Sequence, residues 1–326
     1  MRKILFLSLA AIGLMSCEKE EGLIEPYFVS EQVGIVDMQD EPLLKYQKEL
    51  YFDLSTNTLK AENLRDAWDL ALGADRSNPN IFVNPAMLQA VAATGSTDFN
   101  TSFSASDFDF EYEHPKFYYH KGRLQDAITN GEVYLIDLGK DMANKDRDYK
   151  KLQVSAYADG VYSLKIADLD NENLTEVQLQ TDDTYNYQFI SFTEADNLLS
   201  LEPPKEEWDL HFCKYMERLW DGADTLDYSV TGCLINPYLV GGYIDDSVAK
   251  DSSLTYYDLT LEHFDESKLT AQQNLIGHDY KYYDLDLGYS IRQDLNYFIK
   301  DTEAKVYRMH FTSFKDGVST FEFLAL

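Results

Sequence analysis

Positive charge is scarce in this chain of 326 residues: 28 Lys and Arg stand against 57 Asp and Glu, a formal charge of −29. Proteins bind duplexes by releasing counterions to Lys and Arg, so this balance repels phosphate and excludes nucleic acid as a partner. Adhesion to anionic lipid through a basic patch is excluded for the same reason. Beyond the first residues there is no apolar run long enough to span a bilayer. Cysteine is nearly absent, and Cys213 and Cys233 are the two that follow Cys17, so at most one disulfide joins them. They are expected as either that disulfide or two buried thiols on strands. The chain also lacks Gly-x-Ser-x-Gly, His-Glu-x-x-His, a P-loop and the Rossmann glycine fingerprint. Asp168-Leu169-Asp170-Asn171-Glu172-Asn173 has the oxygens of a calcium loop but neither its central Gly nor its terminal acid, and reads as a turn. No catalytic constellation is present, and the chain is expected not to be an enzyme.

What the chain does have is apolar and aromatic content, at 44% and 14% of its residues. That is too much for a disordered acidic polymer and requires a packed core. Arg2 and Lys3 precede the apolar run Ile4–Met15, which ends Leu14-Met15-Ser16-Cys17. The order of charge, short apolar region and small residue before Cys fits residues 1–16 as a signal peptide with a lipobox, and Cys17 as the lipidated mature N-terminus. Acyl chains contribute about 0.8 kcal/mol per buried methylene, so two or three of them anchor stably. Residues 17–44 read as an acidic tether, and its Glu18-Lys19-Glu20-Glu21 resembles an export signal to the outer face of the outer membrane. The expected location is therefore the outer membrane, lipid-anchored and facing outward.

The remainder carries an internal repeat. Tyr51-Phe52-Asp53-Leu54-Ser55-Thr56 matches Gln188-Phe189-Ile190-Ser191-Phe192-Thr193. Trp68-Asp69-Leu70-Ala71-Leu72 matches Trp208-Asp209-Leu210-His211-Phe212, and each precedes a strand ending in Asn-Pro, Asn84-Pro85 and Asn236-Pro237. Lys151–Val161 matches Arg308–Val318 without a gap. Two related modules are expected, 45–173 and 174–326. Trp68, Leu70 and Leu72 are expected on one strand face, as are Trp208, Leu210 and Phe212, with the Trp as core anchor and the Asp as turn or backbone acceptor.

Local patterning is that of strands. Val133–Leu138 and Val161–Ile166 alternate with period two, and Asp159-Gly160 and Asp316-Gly317 sit between such runs as hairpin turns. Helical periodicity is confined to short stretches, Pro85–Ala93 and Leu261–Asn274. The predicted fold class is all-β: mostly antiparallel β-sandwich or half-open barrel modules with a few short helices.

The lipobox, the Tyr51–Thr56 strand leading to Trp68-Asp69-Leu70, and the close Tyr307-Arg308-Met309-His310-Phe311-Thr312-Ser313-Phe314 with Thr320-Phe321-Glu322-Phe323 resemble the HmuY-like family of surface haem-binding lipoproteins. That resemblance implies an all-β fold, haem capture outside the cell and delivery to a TonB-dependent outer-membrane receptor. It also implies iron held by two His or Met side chains, as haem in a flat apolar slot requires. No local motif identifies those ligands. On chemistry and position the candidates are His114, His120 and Met87, with Lys116, Lys121 and Arg123 for the propionates. His211 and His310 are expected as sheet histidines. The alternative is a structural, partner-binding or glycan-binding lipoprotein, in which exposed Tyr and Trp stack on sugars.

Overall fold

The computed structural model describes residues 30–40, 46–115, 122–193, 198–220 and 222–326. Cys17, the tether up to residue 29, Lys116, His120 and Lys121 lie outside them. Three strands open the described chain: β1 (Gln32–Asp37), β2 (Lys48–Asp53) and β3 (Thr58–Leu64). The stretch that follows holds β4 (Leu70–Gly73), β5 (Ile81–Val83), β6 (Ala90–Ala93), β7 (Glu111–Tyr112), β8 (Val133–Asp137), β9 (Tyr149–Ala158), β10 (Val161–Ala167), β11 (Thr175–Gln180) and β12 (Tyr187–Ile190). The last strands are β13 (Leu210–Trp220), β14 (Thr225–Ile235), β15 (Gly241–Asp245), β16 (Lys281–Asp284), β17 (Gly288–Ile291), β18 (Asn296–Lys300), β19 (Val306–Lys315) and β20 (Val318–Ala325). The architecture is mostly antiparallel β, with several sheets, a few short helices and no closed barrel.

The strands pack as two sandwiches. In one, the sheet β11-β10-β9-β8-β6-β7 covers the short sheet β12-β4-β5. Leu70, Ile81 and Ile190 of the short sheet share a core with Ile136, Leu152, Leu164 and Leu179 of the long one. In the other, β1-β20-β19-β18-β15 covers β14-β13-β2-β3, and Leu50, Phe52, Phe212 and Ile235 meet Ile299, Met309, Phe311 and Phe321. The two sheet orders match strand for strand: β10, β9, β8 and β6 correspond to β20, β19, β18 and β15.

Sheet membership crosses residue 173. β2, from the beginning of the chain, pairs with β13, Phe52 opposite Leu210. β12 returns to pair with β4, Ile190 opposite Leu70. β1 closes the other edge against β20, Gln32 opposite Phe323. Each Trp-Asp-Leu segment is thus bonded to the aromatic strand of the other sequence copy. Asp69 N donates to Ile190 O at 2.8 Å and Asp209 N to Phe52 O at 2.9 Å. Their carboxylates accept from Phe192 N and Leu54 N, both at 2.8 Å. Asn84 and Asn236 repeat the device one strand later, each donating its amide to the carbonyl of the preceding Trp. These bonds register Phe52 on Ile190 rather than on Phe189, one residue off the sequence match.

The third block keeps its register. The hairpins β9–β10 and β19–β20 turn at Asp159-Gly160 and Asp316-Gly317, all with positive φ, as a type I′ turn requires. Each long strand carries a bulge at the equivalent site, Ser155 and Thr312, whose hydroxyls donate to Ser163 O and Thr320 O. Lys151 and Arg308 are equivalent buried cations that tie down connecting loops. Lys151 donates to Phe99 O at 2.7 Å and Arg308 to Leu259 O at 2.7 Å.

Three local expectations are corrected. Pro85–Ala93 is not a helix: a 3₁₀ turn, Pro85–Met87, is followed by strand β6. Leu261–Asn274 holds only the 3₁₀ turn Glu266–Lys268, because Asp265 caps Ser267 and Gly242 captures Thr270 in a bridge. Neither Trp68 nor Trp208 shares a face with the Leu two residues on, since β4 and β13 begin at that Leu; Trp68 clusters with Ala71 and Phe189, and Trp208 packs on Tyr51 while Leu210 and Phe212 lie in the core. Of the two cysteine readings, the structure holds free, buried thiols. Cys233 lies opposite Phe212 and Cys213 opposite Gly232, so the two side chains point to opposite faces of the sheet.

Candidate ligand-binding cleft

The outer faces of the sheets β12-β4-β5 and β14-β13-β2-β3 look at each other across a cleft of about 810 Å³ including its mouth. Its walls are built from the repeat. Trp68 and Trp208, Phe189 and Tyr51, Phe82 and Leu234, and Pro85 and Pro237 line it as equivalent pairs. Tyr51 meets Trp208 edge-on at 4.9 Å, and Trp68 meets Phe189 at 5.0 Å. The pattern breaks at Glu49, whose counterpart is Tyr187, and at Ala71, whose counterpart is His211.

The carboxyls and the imidazole in the cleft are held towards their neutral forms, and Lys214, pushed down to about 8 by burial, is the cation on its lining. Glu49 accepts from the Trp68 indole at 3.2 Å, Glu113 from Arg123 N at 2.8 Å and Glu202 from Asn186 N at 2.6 Å. Burial pushes each of the three up to about 8, against which these hydrogen bonds pull only partly. They are therefore mostly protonated at neutral pH. His211 stacks on Tyr51 at 4.3 Å, and burial pushes it down to about 3. Its Nε2 is buried without a hydrogen-bond partner, 3.9 Å from Glu49 Oε2. A neutral imidazole with an unused nitrogen in an apolar, aromatic slot has the chemistry to donate to a metal. Cys213 also lines the cleft, but burial raises its thiol and keeps it unreactive.

The sequence-predicted residues fall in different places. His114 reaches the cleft, with Nε2 2.8 Å from Asp227 Oδ1, the carboxylate that Arg218 also holds at 2.8 Å. A carboxylate on one ring nitrogen is how proteins orient metal-binding imidazoles. Met87 does not line the cleft: its sulfur accepts from Arg65 at 3.1 Å within the 3₁₀ turn. Arg123 is turned to Glu111 and to Tyr112 O. His120, Lys116 and Lys121 lie outside the described residues. His310 is a sheet histidine on β19, stacked on Tyr256 at 3.7 Å and 3.2 Å from Glu322. His211, expected as another, is the residue that sequence reasoning passed over. The signal was the repeat itself, in which His211 is the one polar departure from Trp-Asp-Leu-Ala-Leu.

No protein-family model matches the chain, and no curated protein does. Solved structures align over most of its length at low similarity. Apo PinO from Porphyromonas gingivitis aligns over 92% of this chain and 98% of its own, at 9% identity and a TM-score of 0.29. A candidate HmuY-like haem-binding protein from Bacteroides vulgatus covers 90% and 91%, at 10% identity and 0.22. A candidate lipoprotein from Bacteroides fragilis covers 90% of each, at 10% identity and 0.21. Alignments at this level carry no ligand with them. Function rests on the residues of the cleft.

Proposed function

We propose that the chain is a non-catalytic outer-membrane lipoprotein, anchored through Cys17 and facing outward, that holds haem in the cleft between its two cores and delivers it to a TonB-dependent receptor. The observation that carries this reading is the buried, unpartnered Nε2 of His211 in an aromatic slot. Haem is flat, mostly apolar, and bound through iron to just such a nitrogen. Neutral walls matter as much as the donor, because ionised carboxylates in the slot would repel the propionates. His114, oriented by Asp227, is the second donor on the same cleft. The sequence blocks at 51–70 and 307–323 that resemble HmuY-like proteins agree with this ligand. No helix among the described residues is long and apolar enough to cross a membrane, which fits attachment through the lipid.

Two of the three tryptophans, Trp68 and Trp208, line the cleft, so in a Trp220→Phe protein the fluorescence comes from its walls. Ferric haem is expected to quench that emission with an end point at one equivalent. Ala71→Phe, which fills the cleft from the wall opposite His211, is expected to abolish the quench. Quenching without an end point, or an Ala71→Phe protein that binds as well as its parent, would count against the cleft.

A further inference from the structure

The second core carries the cleft further than the first. β4 ends at Gly73, but its counterpart β13 continues to Trp220, and this extension adds Lys214 and Tyr215 to the lining. His211, Cys213 and Tyr215 are alternate residues of β13 that all line the cleft, so their side chains share its face. Tyr215 is 1% exposed, and its hydroxyl is buried with no hydrogen-bond partner among the described residues. It is in the same condition as His211 Nε2, four residues and about 13 Å away along the strand.

Phenylalanine would serve the fold as well. The ring packs with Cys213, Val230 and Leu234, contacts that Phe would make without burying an unpaired oxygen. Two carboxylates act on the hydroxyl electrostatically, yet neither accepts from it. Glu217 accepts from Asn274 Nδ2 at 2.7 Å and from Arg218 N at 3.2 Å, and Asp279 is exposed, 3.5 Å from His278. Burial, reinforced by these acids, holds the phenol well above its usual range, so it keeps its proton and can donate.

Its place on the strand limits what it can meet. An imidazole that binds iron stands normal to the porphyrin plane, so a group about 13 Å along the same face meets the rim and not the metal. A second axial donor must come from the facing wall, which excludes Tyr215 from that role. The hydrogen-bond acceptors at the rim of haem are its two carboxylates. Resting on the haem reading of the cleft, we infer that Tyr215 sets ligand specificity: its hydroxyl donates to a porphyrin carboxylate and turns that edge of the ring towards the β13 extension. Lys214, the cation of the same extension on the cleft lining, favours a carboxylate there.

Soret titrations of the full chain with ferric haem and with iron octaethylporphyrin, which has the same macrocycle and no carboxylates, test the inference. The parent is expected to bind octaethylporphyrin about ten-fold more weakly than haem, or not at all. Tyr215→Phe is expected to weaken haem by about as much, with a melting temperature equal to the parent's or higher, because the ligand-free fold loses no bond. The inference alone is overturned if the parent binds haem through His211 but binds both porphyrins equally, or if Tyr215→Phe binds haem like the parent. Weakened binding with a melting temperature several degrees below the parent's overturns it too, since that makes the hydroxyl structural. A parent that leaves the Soret band of free haem unchanged overturns the haem reading and this inference together.

Discussion

Asp69 and Asp209 show how much one carboxylate can hold. Asp69 accepts from Phe192 N, from Gln89 at 2.7 Å and from Arg147 at 2.8 Å, and so fixes the returning strand β12 against β4. Asp69→Ala leaves a buried amide and a guanidinium unpaired, and is expected to destabilise by about 3 kcal/mol in urea unfolding. A loss below about 1 kcal/mol would mean that water replaces the carboxylate. The cleft glutamates make a prediction of opposite sign to that of ordinary surface acids. Glu49, Glu113 and Glu202 bind their protons more tightly folded, at about 8, than unfolded, at about 4.5. Their contribution is complete below about 4.5 and is lost as pH rises through 8. His211 works the other way, adding stability above its unfolded value of about 6.5 and losing it as pH falls towards 3. Between pH 6.5 and 8 the three glutamates and Asp209, which burial raises to about 7, lose stability as pH rises, whereas Lys281 and Lys214, pushed down to about 7 and about 8, gain it. The four carboxyls outnumber the two lysines, so the melting temperature is expected to fall across that window, and less steeply in Glu49→Gln. A flat profile in the parent would place charged carboxylates in the cleft.

At the level of elements, the clearest statements in the sequence were those made by turns. Asp-Gly at 159–160 and 316–317 located the hairpins β9–β10 and β19–β20, because positive φ at two successive positions admits few residues. Gly160→Ala and Gly317→Ala are each expected to cost roughly 1–2 kcal/mol in thermal unfolding. Gly317→Ala is expected to cost more, since its Cβ would meet the Gln39 side chain at 2.6 Å and that of Gly160 meets Gln180 at 3.0 Å. Equal costs would show that Gln39 moves away freely. The gapless match of Lys151–Val161 to Arg308–Val318 survives down to the bulge and the buried cation. Short apolar runs were less legible. Pro85–Ala93 has helical spacing of its apolar residues, yet Asn84 caps a single turn and Val91 enters a sheet, a choice made by the neighbouring strands. The exchange of β2 and β12 was not legible at all, because nothing in Tyr51-Phe52 or Phe189-Ile190 says which Trp-Asp-Leu segment it will meet. His211 was hidden for the same reason: its role depends on a wall supplied by the other core.

At the scale of the molecule, the exchanged strands relocate the natural cuts. A fragment of residues 65–204 carries every strand of the first sandwich, β4 through β12, whereas 45–173 lacks β11 and β12 and exposes the edges of β10 and β4. The longer fragment is expected to give dispersed amide resonances and the other not. The reverse would mean that β11 and β12 are dispensable. The exchange also explains why a cleft exists: the two facing sheets joined through the chain in both directions present matching aromatic faces, and one face has acquired an imidazole. In a chain of charge −29 the carboxyls and imidazole of this cleft are held towards their neutral forms, with Lys214 as its cation. The central claim is that this slot holds haem on His211. Its most direct test is the Soret spectrum of ferric haem added to the parent and to His211→Ala, with His310→Ala as the control. The account predicts a sharpened, shifted Soret band with the parent and with His310→Ala, lost or markedly altered with His211→Ala. A free-haem spectrum with the parent, or an unchanged band with His211→Ala, would contradict it.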